Sequence, residues 1–226
     1  MRDLDSIVAD AINNHLAIQH PDELKAMLAR VRALQPKVVL EIGSAQGGSW
    51  WAISQVIDEA LMISVDMPSD HHMDADWAQT IGMSPRTQLL SQNPDVLRQR
   101  LMNAVKPNQT AVVIQGDSTS SSVLGQVDDA LAGKKIDLAF IDGGHDYQTV
   151  LSDFATYGPL VREEGLIVFH DIATTGADVG SGAAIGVPRL WREIADSAPS
   201  WAAREYVALG SPCGIGIVEV TEGLFG

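Results

Sequence analysis

The sequence predicts an α/β fold built on a mostly parallel sheet that is closed at one edge by an antiparallel hairpin. Three features carry that expectation. Five short apolar runs, Val38 to Ile42, Leu61 to Val65, Ala111 to Ile114, Ile136 to Ile141 and Leu166 to Phe169, have the length and uninterrupted hydrophobicity of strands buried on both faces. Longer segments of helical character separate them, which implies right-handed crossovers and a sheet covered on both sides. Two further runs, Glu205 to Leu209 and Ile215 to Val220, are joined only by Gly210-Ser211-Pro212-Cys213-Gly214, enough for an antiparallel pair and too little for a crossover helix.

Two helices are expected ahead of the sheet. Leu4, Ile7, Val8, Ala11 and Ile12 recur at helical spacing, as do Leu24, Met27, Leu28, Val31 and Leu34. Pro21 followed by Asp22 and Glu23 is a start signal for the second helix, and Gln35-Pro36 is a stop. Two segments break the alternation. Residues 67–83 contain His71, His72, Asp74 and Asp76 with little periodicity, and residues 172–187 contain Gly176, Gly180, Gly182 and Gly186. Both read as long loops of the kind that cover sites. The histidines and acids of the first lack the helical i, i+4 spacing or glycine-marked loop of a metal motif, so a solvated or substrate-facing loop is expected.

Length and composition agree with this architecture. The chain has 226 residues, 46% hydrophobic and 19% charged, which suits an ordinary globular core and excludes disorder or collagen-like order. One domain is expected over 1–226, with N-terminal helices in 1–36 and the core in 37–226. A net charge of −14 argues against nucleic acid and anionic membrane surfaces as partners. Cys213 is the sole cysteine, and the acidic start Met1-Arg2-Asp3-Leu4-Asp5 lacks the basic, then apolar, pattern of a secretory leader. A soluble, cytoplasmic chain is expected, with its oligomeric state open.

Parallel α/β sheets bind ligands beyond the carboxyl ends of their strands. Here those ends read Glu41-Ile42-Gly43-Ser44-Ala45-Gln46-Gly47-Gly48-Ser49, Asp66, Gly116-Asp117-Ser118, Asp142-Gly143-Gly144-His145 and His170-Asp171. The first turn offers glycines and a helix N-terminus, suited to a polar ligand. Its E-x-G-x-x-x-G spacing departs from the G-x-G-x-x-G of dinucleotide sites, and the Glu41 carboxylate would repel a pyrophosphate. S-adenosylmethionine, with a sulfonium and an α-ammonium, suits it better. Asp66 lies 23 residues past Gly43, near the roughly 20 at which an acid meets ribose hydroxyls. Asp117 and Ser118 could meet an adenine amino group or could cap a helix. Asp142 and Asp171 end neighbouring strands, where two carboxylates could share a hard cation such as Mg2+ or Mn2+.

Val39 to Ser49, Ile141 to Tyr147 and Val168 to Asp171 together resemble the class I S-adenosylmethionine-dependent O-methyltransferases, from Lys37 to the C-terminus. The resemblance is greatest to the metal-dependent small-molecule group that includes catechol O-methyltransferase, macrolide-sugar O-methyltransferases and the cephalosporin methoxylation protein. It implies a Rossmann-like methyltransferase fold with a seven-stranded sheet. It also implies a cofactor site of Glu41, Gly43, Ser44, Gly47, Ser49, Asp66, Gly116, Asp117, Ser118 and Asp142, and a metal site of Asp142, His170 and Asp171. His170 departs from the family, where an acid is usual. His145, in the same D-x-x-H spacing as sugar-modifying relatives, is the expected base, working with Asp142 on a small hydroxylated substrate. One of Trp50 and Trp51 is expected to pack on the sheet and the other to line the cofactor pocket or a subunit contact, and helix packing is the expectation for Arg189 and Trp191, with closure over substrate the alternative. An NAD(P)-dependent oxidoreductase of similar architecture, or a non-catalytic subunit retaining the cofactor pocket, are the alternatives.

Overall fold

The computed structural model describes residues 2–67, 93–176 and 184–225. The His71, His72, Asp74 and Asp76 cluster, Gly180 and Gly182 lie outside the described residues. Two helices, α1 (Leu4–His15) and α2 (Pro21–Leu34), precede β1 (Val38–Ile42), α3 (Gly48–Val56) and β2 (Leu61–Asp66). Then follow α4 (Pro94–Ala104), β3 (Thr110–Gln115), α5 (Ser121–Leu131), β4 (Ile136–Ile141), α6 (Tyr147–Tyr157) and β5 (Val161–His170). The described chain ends with α7 (Val187–Ser197), β6 (Ala203–Tyr206) and β7 (Ile215–Glu219).

Seven strands form one sheet in the order β3-β2-β1-β4-β5-β7-β6. The first five are parallel, and β7 pairs antiparallel with both β5 and β6. This is the predicted architecture. The apolar runs alternate between two cores with the period-2 geometry of a strand. Val39, Met62, Val113, Leu138 and Phe140 face the core shared with α1 to α4, and Leu40, Ile63, Val65, Ala139 and Ile141 face the one shared with α5 to α7. Helix starts are set locally: Asp3, Asn93, Ser120 and Asp146 each accept a backbone N–H of the first turn, and Pro21, Pro94 and Pro188 sit just inside their helices.

Three boundaries differ from expectation. Strand β5 begins at Val161 instead of Leu166, because a register shift opposite Ile136/Leu138 and a left-handed Glu164 (φ 61°) let the polar Arg162-Glu163-Glu164 segment continue the strand. Strand β6 covers Ala203–Tyr206 instead of Glu205 to Leu209, since pairing with β7 fixes Glu205 opposite Gly216 and leaves Val207 and Leu209 exposed. Ser120, not Asp117 or Ser118, caps α5; the Asp117 carboxylate accepts the N–H and hydroxyl of Thr119 in the turn before it.

The N-terminal helices reach across the carboxyl end of the sheet. A Cβ at Gly48 would lie 2.2 Å from the Ala17 backbone nitrogen, so the α1–α2 connection seats directly on the start of α3. Glu23, in the first turn of α2, is buried and accepts N–H groups from Ala208 and Gly214 of the β6–β7 connection. That connection in turn accepts the N–H groups of Ile172 and Ala173 just beyond β5. Among the described residues no helix is long and apolar enough to cross a membrane.

Gly43 joins the two central strand ends. Its φ is +86°, and a Cβ there would come within 2.0 Å of the Asp142 carbonyl oxygen. Gly43→Ala is therefore expected to destabilise the fold by about 3 kcal/mol or more, read as a shift in the urea midpoint.

Candidate active site

Parallel register collects the strand ends along one rim. Gly43 N–H donates to Val65 O, Gly116 N–H to Asp66 O and Asp142 N–H to Ile42 O, at 2.8 to 2.9 Å, so the turns after β1 to β4 are linked edge to edge. Glu41, Asp66, Asp142, His170 and Asp171 thus stand at one end of the sheet, as the sequence implied.

Glu41 is fully buried. Its carboxyl accepts from Ser49 Oγ at 2.5 Å and Ser44 Oγ at 3.3 Å, and Ser44 also bonds Ser64 Oγ from β2. Ser44 and Ser49, expected beside the cofactor, therefore orient Glu41. Burial pushes the Glu41 carboxyl up to about 8; the two hydroxyls oppose this, and the charges of Asp142 and Asp66 add to it. Nearby, the side-chain oxygens Gln19 Oε1 and Gln46 Oε1 are buried without partners. Helix α3 has Gly47 as its N-cap, with no side-chain cap hydrogen bond, directly after Gln46. Unsatisfied acceptors and a buried carboxyl, with no Lys or Arg bonded to it among the described residues, describe a cradle for an ammonium.

A second group forms where β4 and β5 end. His170, nearly inaccessible, places Nδ1 3.0 Å from Asp142 Oδ1 and 3.2 Å from Asp171 Oδ2. His145 Nε2 lies 3.0 Å from Asp171 Oδ2. Gln19 Nε2 donates to Asp142 Oδ2, and Thr174 Oγ1 to Asp171 Oδ1. Burial works to lower the basicity of His170, but the charge of Asp142 and the hydrogen bonds to Asp142 and Asp171 outweigh it and hold the ring well above its ordinary range. For Asp171 burial acts upward and is overcome by the hydrogen bonds of His145 and His170, which hold the carboxyl far below the usual range. Asp171 also adopts left-handed backbone geometry (φ 63°), uncommon for a non-glycine residue.

The segment that re-enters at Ala184 closes on this group. Asp146 bridges Ile185, and Gly186 N–H donates to His145 O at 2.8 Å. Trp191 does not reach the site: it is buried against Phe169 and donates Nε1–H to Glu205. Arg189 lies over the Tyr147 ring and pairs with Glu193 at the surface. Trp50 packs in the core, whereas Trp51 stacks on His15 of α1 at 3.9 Å. Gln19 and Glu23 escaped the sequence reading, the first because nothing local marks it and the second because it reads as an ordinary first-turn acid. Asp153 also went unnoticed; burial pushes its carboxyl up to about 6.

A family model described as a methyltransferase domain matches residues 40–172, which contain every strand end named above. The chain belongs to this methyltransferase-domain family. The solved O-methyltransferase TomG of Streptomyces achromogenes, involved in tomaymycin synthesis and captured with S-adenosylmethionine, shares the fold: TM-score 0.59, 17% identity, 98% of this chain and 91% of that one covered. MycE, from the mycinamycin biosynthetic pathway and captured with Mg, S-adenosylhomocysteine and mycinamycin VI, aligns with TM-score 0.53 at 16% identity over 96% of this chain and 54% of its own. The uncharacterized protein y4gI of Sinorhizobium fredii is 24% identical over 171 residues, and the match covers 75% of this chain but 16% of that relative's length.

In this methyltransferase domain the raised Glu41 carboxyl has a consequence for stability. The unfolded glutamate ionises near its ordinary value while the folded one stays protonated to about 8, so stability falls as pH rises between about 4.5 and 8 and then levels. Glu41→Gln is expected to flatten that decline by a few kcal/mol, measured by urea unfolding of the ligand-free protein across this range.

Proposed function

We propose that this protein transfers the methyl group of S-adenosylmethionine to a hydroxyl of a small molecule, with a sugar or other natural-product hydroxyl as the favoured class. The observation that carries this reading is the buried Glu41 carboxyl at the first glycine turn, together with two unpartnered acceptors, Gln46 Oε1 in that same turn and Gln19 Oε1 on the side chain that donates to Asp142. An α-ammonium supplies the donors that these acceptors lack, and its charge favours ionisation of the Glu41 carboxyl. Asp66, at the next strand end and 7% exposed, is placed to meet the ribose hydroxyls, and the Gly116-Asp117-Ser118 turn lies beyond it for the adenine. Asp117 keeps its turn role and can accept from the base with its remaining lone pairs.

Asp142, His170 and Asp171 fit a divalent metal, because two carboxylates and an imidazole nitrogen already converge within hydrogen-bond distance. A bound cation there supplies positive charge that lowers the pKa of an acceptor hydroxyl. The chain's own contribution is the placement of a base. With Nε2 directed at Asp171, the neutral His145 ring keeps its proton on Nε2, and Nδ1 is the atom that receives the hydroxyl proton. Asp171 fixes that tautomer and stabilises the imidazolium as it forms. The hydroxyl oxygen attacks the methyl carbon as the carbon–sulfur bond breaks, and the electron pair leaves on sulfur to give S-adenosylhomocysteine. The hydrogen bond from Gly186 N–H to His145 O holds the backbone that carries this ring.

Isothermal titration with S-adenosylhomocysteine tests the reading directly. Binding in the micromolar range is expected, and it should weaken at least about 10-fold in Glu41→Ala; no heat at high micromolar ligand would refute it. His145→Ala should retain that affinity within about 3-fold and lose about 100- to 10,000-fold in kcat on any accepted hydroxylated substrate.

A further inference from the structure

We propose that the metal of this site is a later first-row transition ion bound in part through the imidazole of His170, of the class of Fe2+, Co2+ or Zn2+, and that Mg2+ is a poor occupant. The proposal rests on the assignment of Asp142, His170 and Asp171 to a metal and narrows the chemistry of the ion. Mg2+ demands a near-octahedral shell of oxygen ligands, whereas imidazole nitrogen and thiol sulfur favour the later first-row ions.

The donor inventory decides between them. Among the described residues, the convergent sets of potential ligands are Asp142 with His145 and Asp171, and His170 with Asp171 and Cys213, with donor atoms within 4.8 Å of one another in each. Each set contains a nitrogen, and the second adds a sulfur. The carboxylate oxygens are also partly committed. Asp142 Oδ2 accepts from Gln19 and Asp171 Oδ1 from Thr174, which leaves Asp142 Oδ1 facing His170 and Asp171 Oδ2 shared between His170 and His145.

The spacing of these atoms suits a shared ion. Neighbouring ligands of a six-coordinate ion with bonds of about 2.1 Å stand about 3.0 Å apart. His170 Nδ1 is 3.0 Å from Asp142 Oδ1 and 3.2 Å from Asp171 Oδ2, so replacing the proton they share by a metal requires little motion of the ring. The ring is already positioned: it is buried at the end of β5, with Nδ1 held between the two carboxylates. His145 Nε2 meets Asp171 Oδ2 at 3.0 Å, and His145 remains the base.

The test uses the full chain, stripped with chelator and titrated with Co2+ and with Mg2+ by calorimetry, together with the visible absorption of the Co2+ form. Wild type should bind Co2+ at least about 100-fold more tightly than Mg2+. His170→Glu should reduce that ratio at least about 10-fold and alter the visible spectrum, while His145→Gln should leave the ratio within about 3-fold. His170→Asn, with circular dichroism as a check on folding, serves if the glutamate is not accommodated. Equal affinities in wild type, an unchanged ratio and spectrum in both His170 variants, a ratio governed by His145, or no binding of either ion would overturn the proposal. S-adenosylhomocysteine titrated alongside separates the two readings: its binding without metal binding removes only this inference, and its failure to bind removes the methyl-transfer reading.

Discussion

Like charges gathered at one edge are the constraint on which this molecule is built. A parallel sheet sends every strand end to the same rim, and here the strands deliver Glu41, Asp66, Asp142 and Asp171 to it. Such a cluster is unfavourable unless each carboxyl is neutralised, hydrogen-bonded or given a cation. The structure uses the first two remedies for Glu41, which is held protonated beside two serines, and the last two for Asp142 and Asp171, which divide the donors of Gln19, Thr174 and His145 and share the cationic ring of His170. What remains is a site whose electrostatics are completed by positive ligands.

The N-terminal helices belong to that arrangement as much as to the core. Within seven residues the chain from Ala17 to Glu23 touches the start of α3, binds Asp142 through Gln19 and holds the β6–β7 connection through Glu23. The same connection ties down the residues that follow Asp171. A strap of this kind positions strand ends that are far apart in sequence, and it also defines part of the space left for an acceptor. Substitutions in it are therefore expressed at the site even though they lie more than a hundred residues from the groups they affect.

Much of this was legible beforehand because its causes are local. Buried parallel strands are continuous apolar runs, prolines and side-chain caps mark helix starts, and a short connection forces the final pair to run antiparallel. The places where the reading slipped are those where a partner strand set the outcome. Arg162-Glu163-Glu164 is too polar to read as strand, yet it extends β5 because a left-handed turn and a register shift accommodate it; β6 took its limits from β7. Ser44 and Ser49, expected beside the cofactor, donate to Glu41 across the turn, a partnership that no local pattern marks.

The sequence by itself determined the order of strands and helices, the existence of one acidic, glycine-bearing rim and the residue types available there, since each follows from periodicity and from the rule that parallel strands share a carboxyl edge. Tertiary structure alone decided how those groups divide their hydrogen bonds: that Gln19 and Glu23 are buried among them, that His170 stands between two carboxylates, and that His145 is turned to Asp171. Side-chain partnership depends on distances between segments remote in the chain, and no local pattern of residues encodes those distances.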